Sequence, residues 1–208
     1  MKIAIFGATG GTGKELVKQA LEQGHEITAL VRNPQKLSFT NKRVNIIEGD
    51  VLNKDDVSKT IQGNDTVLVA LGVKPPSKAK VVGPGTENII EAMKRYGVKR
   101  LVIESAFFMD EKARQKTFTK ILTKTLMKGP YADKLIQEEV VRQSGLEWII
   151  VRPVGLKNGP KTGKYNSGEN LKLKGLFQTI SRADVADFML AQLNSNANVN
   201  KAVMVSSQ

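Results

Sequence analysis

The sequence predicts an α/β fold with a doubly wound, mostly parallel sheet and helices on both faces. Apolar runs of strand length alternate with amphipathic runs of helix length along almost the whole chain, and this alternation is typical of a parallel sheet. At the start of the chain, residues 2–23 place an apolar strand, a glycine-rich turn and a helix in direct succession. No Pro/Gly/Ser-rich linker divides the 208 residues, so we expect a single domain over 1–208.

Each element is predicted from its local pattern. Short apolar runs between turn signals predict strands, at 2–6, 26–31, 43–48, 66–70, 100–105, 147–152 and 201–206. Amphipathic spacing predicts helices, at 12–23, 54–62, 84–96, 112–128, 132–144 and 182–193. Gly97 and Gly145 are each expected to end a helix, and Ser181, three residues before Asp184, is expected to cap the last helix.

One segment, from about 152 to 180, breaks the alternation. Five glycines lie between residues 152 and 175, and the apolar periodicity is weak there. In doubly wound sheets, ligands bind outside the carboxyl ends of the strands. We therefore expect this segment to lie on the substrate side of the sheet.

Composition excludes several kinds of chemistry. The chain has no cysteine, which rules out disulfides, thiolate nucleophiles and cysteine-ligated metals. Its one histidine, His25, lies in a turn, and no spaced carboxylate cluster predicts a metal site. Met1 is followed almost at once by a strand, without a signal peptide or a membrane-spanning apolar run, so we expect a cytoplasmic protein.

The chain is strongly basic. It has 32 Lys and Arg against 20 Asp and Glu, a net charge of +12, which attracts phosphates, nucleic acid or anionic membranes. We expect no nucleic-acid partner, because the sequence has neither zinc-finger spacing nor an RNP-like pattern and only 5% of its residues are aromatic. Membrane association is disfavoured as well, because the most basic helix has no Trp and the core needs its apolar face.

This most basic helix, predicted at 112–128, has a lysine at every fourth position, namely Lys112, Lys116, Lys120, Lys124 and Lys128. Two interpretations of it remain open. The simpler one is a solvated charged face over a stripe of core residues. The other is an anion-attracting wall beside the substrate cleft.

The glycine-rich turn at 7–13 has the chemistry of a dinucleotide pyrophosphate site. Glycines in such a turn allow a tight bend, close approach to phosphate oxygens and close packing of the helix, while the N–H groups at the helix start face the anion. The spacing G-x-x-G-x-x-G places Thr9 where G-x-G-x-x-G has its second glycine, and a turn that merely connects two elements is the alternative. The expected cofactor contacts in this turn are Gly7, Thr9, Gly10, Gly11, Thr12 and Gly13.

The end of the second strand predicts the choice of cofactor. NAD-specific sites usually carry an acidic side chain there, whereas this chain has Arg32 and no carboxylate before Gln35. A guanidinium can pair with a 2′-phosphate through its planar fork. We therefore predict that NADPH is preferred over NADH, the alternative being that Arg32 only begins a solvated loop.

Further candidates lie at the carboxyl ends of the other strands, where the crevice of a doubly wound sheet opens. Each of them could equally be an ordinary loop residue, but their shared position favours a common site. They are Asp50 and Val51 near the adenine, Ala70, Leu71 and Gly72 beneath the ribose, and Ser105, Pro153 and Val154 beside the nicotinamide.

Similarity to a known family extends over nearly the whole chain and is carried by residues 7–13, 92–98, 105–107, 144–146, 162–165 and 180–190. These segments resemble the NAD(P)H-binding, NmrA-like group of atypical short-chain dehydrogenases/reductases, and most of all its flavin reductase (biliverdin-IXβ reductase) branch. The resemblance implies a Rossmann-like fold and hydride transfer from NADPH to a planar acceptor, such as a flavin or a linear tetrapyrrole. It also implies that Ser105 is the catalytic residue beside the nicotinamide and the acceptor, and that Gly10, Gly11, Thr12 and Arg32 hold the phosphates.

The chain departs from the wider superfamily at one position. Most members pair a catalytic tyrosine with a lysine in Y-x-x-x-K, but alignment places Pro130 at the tyrosine position, four residues before Lys134. Tyr131 lies three residues from Lys134, and on a helix the two separations point about 100° apart. A tyrosine-dependent alcohol dehydrogenase is therefore disfavoured, whereas reduction of a flavin or tetrapyrrole can take its protons from water.

Two functional classes remain. The first is an NADPH-dependent reductase of a small planar molecule, which Ser105 and the full-length resemblance favour. The second is a non-catalytic redox sensor that binds the dinucleotide and acts through a protein partner, which the missing tyrosine favours.

Overall fold

The computed structural model describes residues 1–37, 41–73, 79–110, 127–172 and 178–208. In these ranges the strands are β1 (Lys2–Phe6), β2 (Glu26–Val31), β3 (Val44–Glu48), β4 (Thr66–Val69), β5 (Arg100–Glu104), β6 (Glu147–Pro153), β7 (Gly155–Lys157), β8 (Tyr165–Gly168), β9 (Thr179–Ser181) and β10 (Lys201–Ser207). The α-helices are α1 (Gly11–Glu22), α2 (Lys54–Ile61), α3 (Val82–Tyr96), α4 (Lys128–Arg142) and α5 (Arg182–Ala191).

The main sheet has the strand order β3-β2-β1-β4-β5-β6-β10-β8. All neighbouring pairs are parallel except β10 with β8. The chain builds outward from β1 to β3 on one side and from β4 to β6 on the other, so the order reverses between β1 and β4. This arrangement confirms the predicted doubly wound, mostly parallel fold, and it opens a crevice at the carboxyl ends of β1 and β4.

Helices cover both faces of the sheet. In β1, Ile3 and Ile5 belong to a buried cluster with side chains of α1 and α5, whereas Ala4 and Phe6 belong to one with side chains of α2 and α3. A strand buried on both faces is a continuous apolar run rather than an alternating one, which explains its sequence. No helix in the described ranges is long and apolar enough to cross a bilayer.

The start of α5 differs in part from its expected capping box. The Ser181 hydroxyl caps the helix by accepting from the Asp184 N–H at 3.0 Å. The Asp184 carboxylate does not return to the Ser181 backbone but accepts from the N–H groups of Thr162, at 2.7 Å, and Gly163, at 2.9 Å. The Asp184 carboxylate therefore connects the segment at 152–180 to the first turn of α5.

The helices α3 and α4 both begin earlier than predicted, and the early start of α3 depends on a side chain of α4. The carboxylate of Asp133, on α4, accepts from the N–H groups of Val81, Val82 and Gly83 at 2.8–2.9 Å. It thereby caps α3 from outside, so that α3 starts at Val82 rather than at 84. The helix α4 starts at Lys128 rather than at 132.

Three strands were not expected. Within the segment at 152–180, β7 and β9 form a separate two-stranded parallel sheet, and β8 adds antiparallel to β10 at the edge of the main sheet. They are only three or four residues long and have a single core side chain, Ile180 of β9, so no periodic apolar pattern marks them in the sequence. The predicted basic helix at 112–128 lies outside the described residues as far as 126, and Lys128 is the first residue of α4.

Candidate cofactor and substrate site

A cavity of about 790 Å³ opens at the carboxyl ends of the parallel strands, which is within the size range of small-molecule sites, roughly 300–1,000 Å³. It extends from the turn after β2, across the glycine turn after β1, to the segments after β5 and β6. The predicted site residues that line it are Gly7, Thr9, Gly10, Gly11, Thr12, Arg32, Asp50, Val51, Ala70, Leu71, Gly72 and Ser105.

The remaining predicted site residues, Gly13, Pro153 and Val154, are not among the residues that line the cavity. Gly13 is buried beneath the glycine turn, and Pro153 pairs with Val205 in the sheet. Val154 is packed in the core with the side chains of α5.

The glycine turn has the geometry that a phosphate cradle requires. Gly7 has a φ of +86°, and a Cβ there would collide with the backbone of Ala70. A Cβ at Gly13 would collide with the backbone of Gly7. The first turn of α1, residues 11–14, contains no acidic residue, so its N–H groups and dipole favour an anion. These features fit the pyrophosphate of a dinucleotide.

The turn after β3 is held by two carboxylates. The Asp50 N–H donates to Asp56 at 3.1 Å, and the Asp50 side chain accepts from the Leu52 N–H at 2.9 Å. This places Asp50 and Val51 in the wall of the cavity, near Arg32 and Lys36 from the turn after β2.

At the other end of the cavity, Ser105 belongs to a buried polar network. Its hydroxyl donates to the carboxylate of Glu138 at 2.6 Å, and Arg152 donates to the same carboxylate at 2.6 and 2.9 Å. Burial alone would raise the pKa of the Glu138 carboxyl, but the hydrogen bonds and charges around it, chiefly those of Arg152, hold this pKa below its ordinary value. Because Glu138 is ionised and can only accept, the single Ser105 proton points to it. The Ser105 oxygen is therefore left to accept from a ligand.

Lys134 joins the ends of two strands. Its ammonium donates to the carbonyls of Leu71, at 3.0 Å, and Glu104, at 2.5 Å, and to the side-chain oxygen of Gln137 at 2.9 Å. Three acceptors use all three of its protons. Burial lowers the pKa of the Lys134 ammonium to about 8, against the pull of the neighbouring carboxylates.

Pro130, four residues before Lys134, lines the cavity where the superfamily tyrosine would stand. The Tyr131 ring instead packs on Phe108, with ring centroids 6.1 Å apart.

Several residues that line the cavity were not among the predicted cofactor contacts. Glu104, at the end of β5, accepts from the Thr12 hydroxyl at 2.9 Å, and burial raises the pKa of its carboxyl. Arg182, the first residue of α5, lies against the glycine turn. On the β5 and β6 side, an apolar wall is formed by Phe108, Met127, Pro130 and Leu156.

Comparison with known proteins identifies the family of the chain and supports its fold. Residues 7–196 match the family model described as NAD(P)H-binding. An uncharacterised chloroplast protein of Arabidopsis thaliana is 31% identical over 213 residues, covering 97% of this chain and 76% of that protein.

Two solved structures of similar fold have names that refer to redox chemistry. The oxidoreductase YlbE from Lactococcus lactis superimposes with a TM-score of 0.85 at 22% identity, over 100% of this chain and 91% of that one. ChuY, an anaerobillin reductase from Escherichia coli O157:H7, superimposes with a TM-score of 0.82 at 19% identity, over 99% and 96%. These likenesses concern the fold. Because a family model described as NAD(P)H-binding matches most of its length, the chain belongs to the NAD(P)H-binding family.

Proposed function

We propose that the protein is a reductase that transfers hydride from NADPH to a planar acceptor, such as a flavin or a linear tetrapyrrole. One observation carries this proposal: the glycine turn, Ser105 and the apolar side chains of Phe108, Met127, Pro130 and Leu156 all line the same cavity. A dinucleotide on the turn would bring its nicotinamide toward this wall. The cofactor, when bound, supplies the hydride.

The preference for NADPH is part of the proposal. Arg32 and Lys36 both line the cavity at the end of β2, beyond which the adenosine 2′-phosphate would lie. Two cations there favour a ligand with that phosphate. The argument from Arg32 is thus supported by Lys36, whose place in the wall depends on the turn at Pro34–Lys36.

The residues of the chain bind and orient rather than exchange protons. Phe108 and Leu156 line the cavity with apolar side chains, which would exclude water from the face of a conjugated ring. Ser105 accepts from an N–H group of the nicotinamide carboxamide or of the acceptor. Lys134 has no proton to spare in its three hydrogen bonds, so the proton that accompanies the hydride comes from water.

The direct test is anaerobic oxidation of NADPH with FMN as acceptor and NADH in parallel. We expect turnover that requires both protein and FMN, prefers NADPH, and falls roughly tenfold in Ser105→Ala, as loss of one oriented hydrogen bond predicts. Ser206→Ala is the matched control, because Ser206 is equally buried but lies on β10 and bonds the backbone of Ser207. Absence of protein-dependent turnover with FMN, and also with a linear tetrapyrrole in its place, would contradict the proposal.

A redox sensor that acts through a protein partner is the second candidate. It is favoured by Pro130 at the tyrosine position and by the fully bonded Lys134. A sensor would bind NADPH and its oxidised form with different affinities, and it would not oxidise NADPH when FMN is present. Titration of both forms, alongside the turnover assay, separates the two functions.

A further inference from the structure

The side chain of Arg182 lies directly over Gly11 of the glycine turn. A Cβ at Gly11 would collide with Cδ and Nε of Arg182, so the arginine fills the space that a side chain at this position would take. It comes there because α1 and α5 pack side by side on the same face of the sheet, which brings their first turns together. Arg182 also lines the cavity.

The cations of the cavity are unevenly distributed. Among the described residues, the cationic side chains in its lining are Arg32, Lys36, Lys134 and Arg182. The first two follow β2, away from the glycine turn, and Lys134 is held by three oxygens. Arg182 is therefore the cation positioned to meet a phosphate on the turn itself.

The hydrogen bonds around Arg182 leave its charge available to a ligand. The charge of Arg182 acts on the Glu104 carboxyl, but the hydrogen bond that this carboxyl accepts, at 2.9 Å, comes from Thr12 and not from Arg182. One nitrogen of Arg182, Nη1, donates to the side chain of Asn158 at 2.9 Å, a neutral partner. A guanidinium with a neutral partner and a planar fork of donors is well suited to bind phosphate oxygens.

We propose that Arg182 binds the pyrophosphate of the dinucleotide, so that the anion is held between the N–H groups of α1 and the guanidinium at the start of α5. This inference rests on the dinucleotide site proposed above. It assigns a role in cofactor binding to a residue nearly 170 positions away from the glycine turn in the chain. The competing explanation is that Arg182 only links α5 to Asn158.

The test measures binding of fragments of the cofactor by calorimetry. ADP-ribose carries the pyrophosphate but neither the nicotinamide nor the 2′-phosphate, whereas 2′-AMP carries the 2′-phosphate without a pyrophosphate. We expect Arg182→Gln to weaken ADP-ribose and NADPH by roughly 10- to 100-fold, as for loss of a charged hydrogen bond, and to leave 2′-AMP binding within about twofold. Arg182→Lys keeps the charge and is expected to show a smaller loss.

Two variants distinguish the explanations. Asn158→Ala breaks the link but keeps the cation, and we expect near-native ADP-ribose binding. Arg95→Gln removes an exposed arginine of α3, whose partner is Glu91, and controls for net charge. The inference is overturned if Arg182→Gln binds ADP-ribose as the native chain does, if Asn158→Ala loses as much, or if 2′-AMP weakens equally. A native chain that binds neither NADPH nor ADP-ribose would instead overturn the proposed function and this inference together.

Discussion

At the scale of single residues, we expect substitution of Glu138 to affect stability strongly, because its carboxylate accepts hydrogen bonds from both the Ser105 hydroxyl and the Arg152 guanidinium. Glu138→Gln removes the carboxylate closest to Arg152, whose side chain is 12% exposed and keeps Asp110 at 3.5 Å as a second partner, and we expect the free energy of unfolding to fall by about 2 kcal/mol at pH 7. Glu139→Gln, at the exposed neighbouring position, is the matched control and should change little. Urea denaturation of the native chain and both variants measures the two effects, and a Glu138→Gln variant as stable as the native chain would contradict the assignment.

The same substitution predicts a pH dependence. The pKa of the Glu138 carboxyl is lowered in the folded state, so its contribution to stability is complete above the ordinary glutamate pKa and is lost as the pH falls through the lowered value. The difference in unfolding free energy between the native chain and Glu138→Gln should therefore shrink in acid. A difference that stays constant down to about pH 3 would exclude this role of the charge.

How far the site could be predicted from the sequence depends on how local each residue's role is. The place of Gly7 and Arg32 in the cavity lining could be predicted because a turn or a strand end puts them there, and both features are visible in a few neighbouring residues. Glu138 and Arg182 were missed because their partners are distant in the chain, as in the bond from Ser105 to Glu138, which spans 33 positions. The one available signal was spacing, since Glu138 lies one helical turn after Lys134 and faces the same way.

At the scale of elements, the strands and helices with an apolar pattern in the described ranges were predicted to within a few residues, whereas the short strands β7, β8 and β9 were not predicted. The strands β7, β8 and β9 are paired through the backbone, which leaves no periodic mark. The early start of α3 depends on Asp133 of another helix. No pattern in residues 79–84 could reveal a cap supplied from such a distance along the chain.

This cap can be tested. In Asp133→Asn one oxygen acceptor becomes an amide donor and the charge is lost, so at least one N–H at the start of α3 loses its acceptor. We expect a loss of about 1–2 kcal/mol in the free energy of unfolding and faster hydrogen exchange at residues 81–83. Asp55→Asn, in the exposed first turn of α2, is the control, with a change of a few tenths of a kcal/mol. Unchanged exchange in α3 would show that Asp133 is dispensable for its start.

At the scale of the whole molecule, the positive charge acts on the cofactor while the two are still apart. The net charge of +12 attracts an anionic dinucleotide, and salt screens this attraction over about 30 Å at 0.01 M but only about 10 Å at 0.1 M. We therefore expect the association rate of NADPH to fall about three- to tenfold between roughly 10 and 200 mM salt. NADH lacks the 2′-phosphate, so its rate should fall less.

Stopped-flow fluorescence at several salt concentrations measures both association rates. A steeper salt dependence for NADPH supports a field that steers the cofactor toward the cavity as a whole.

The local contribution of Arg32 is separated by Arg32→Gln, which lowers the net charge of +12 by only one unit. It should therefore reduce the salt dependence slightly and raise the dissociation rate of NADPH strongly, because interactions made only in the bound complex govern how long it lasts. Equal salt dependence for NADPH and NADH would mean that the global charge does not distinguish the two cofactors, and the proposed preference for NADPH would then have to come from contacts in the cavity alone.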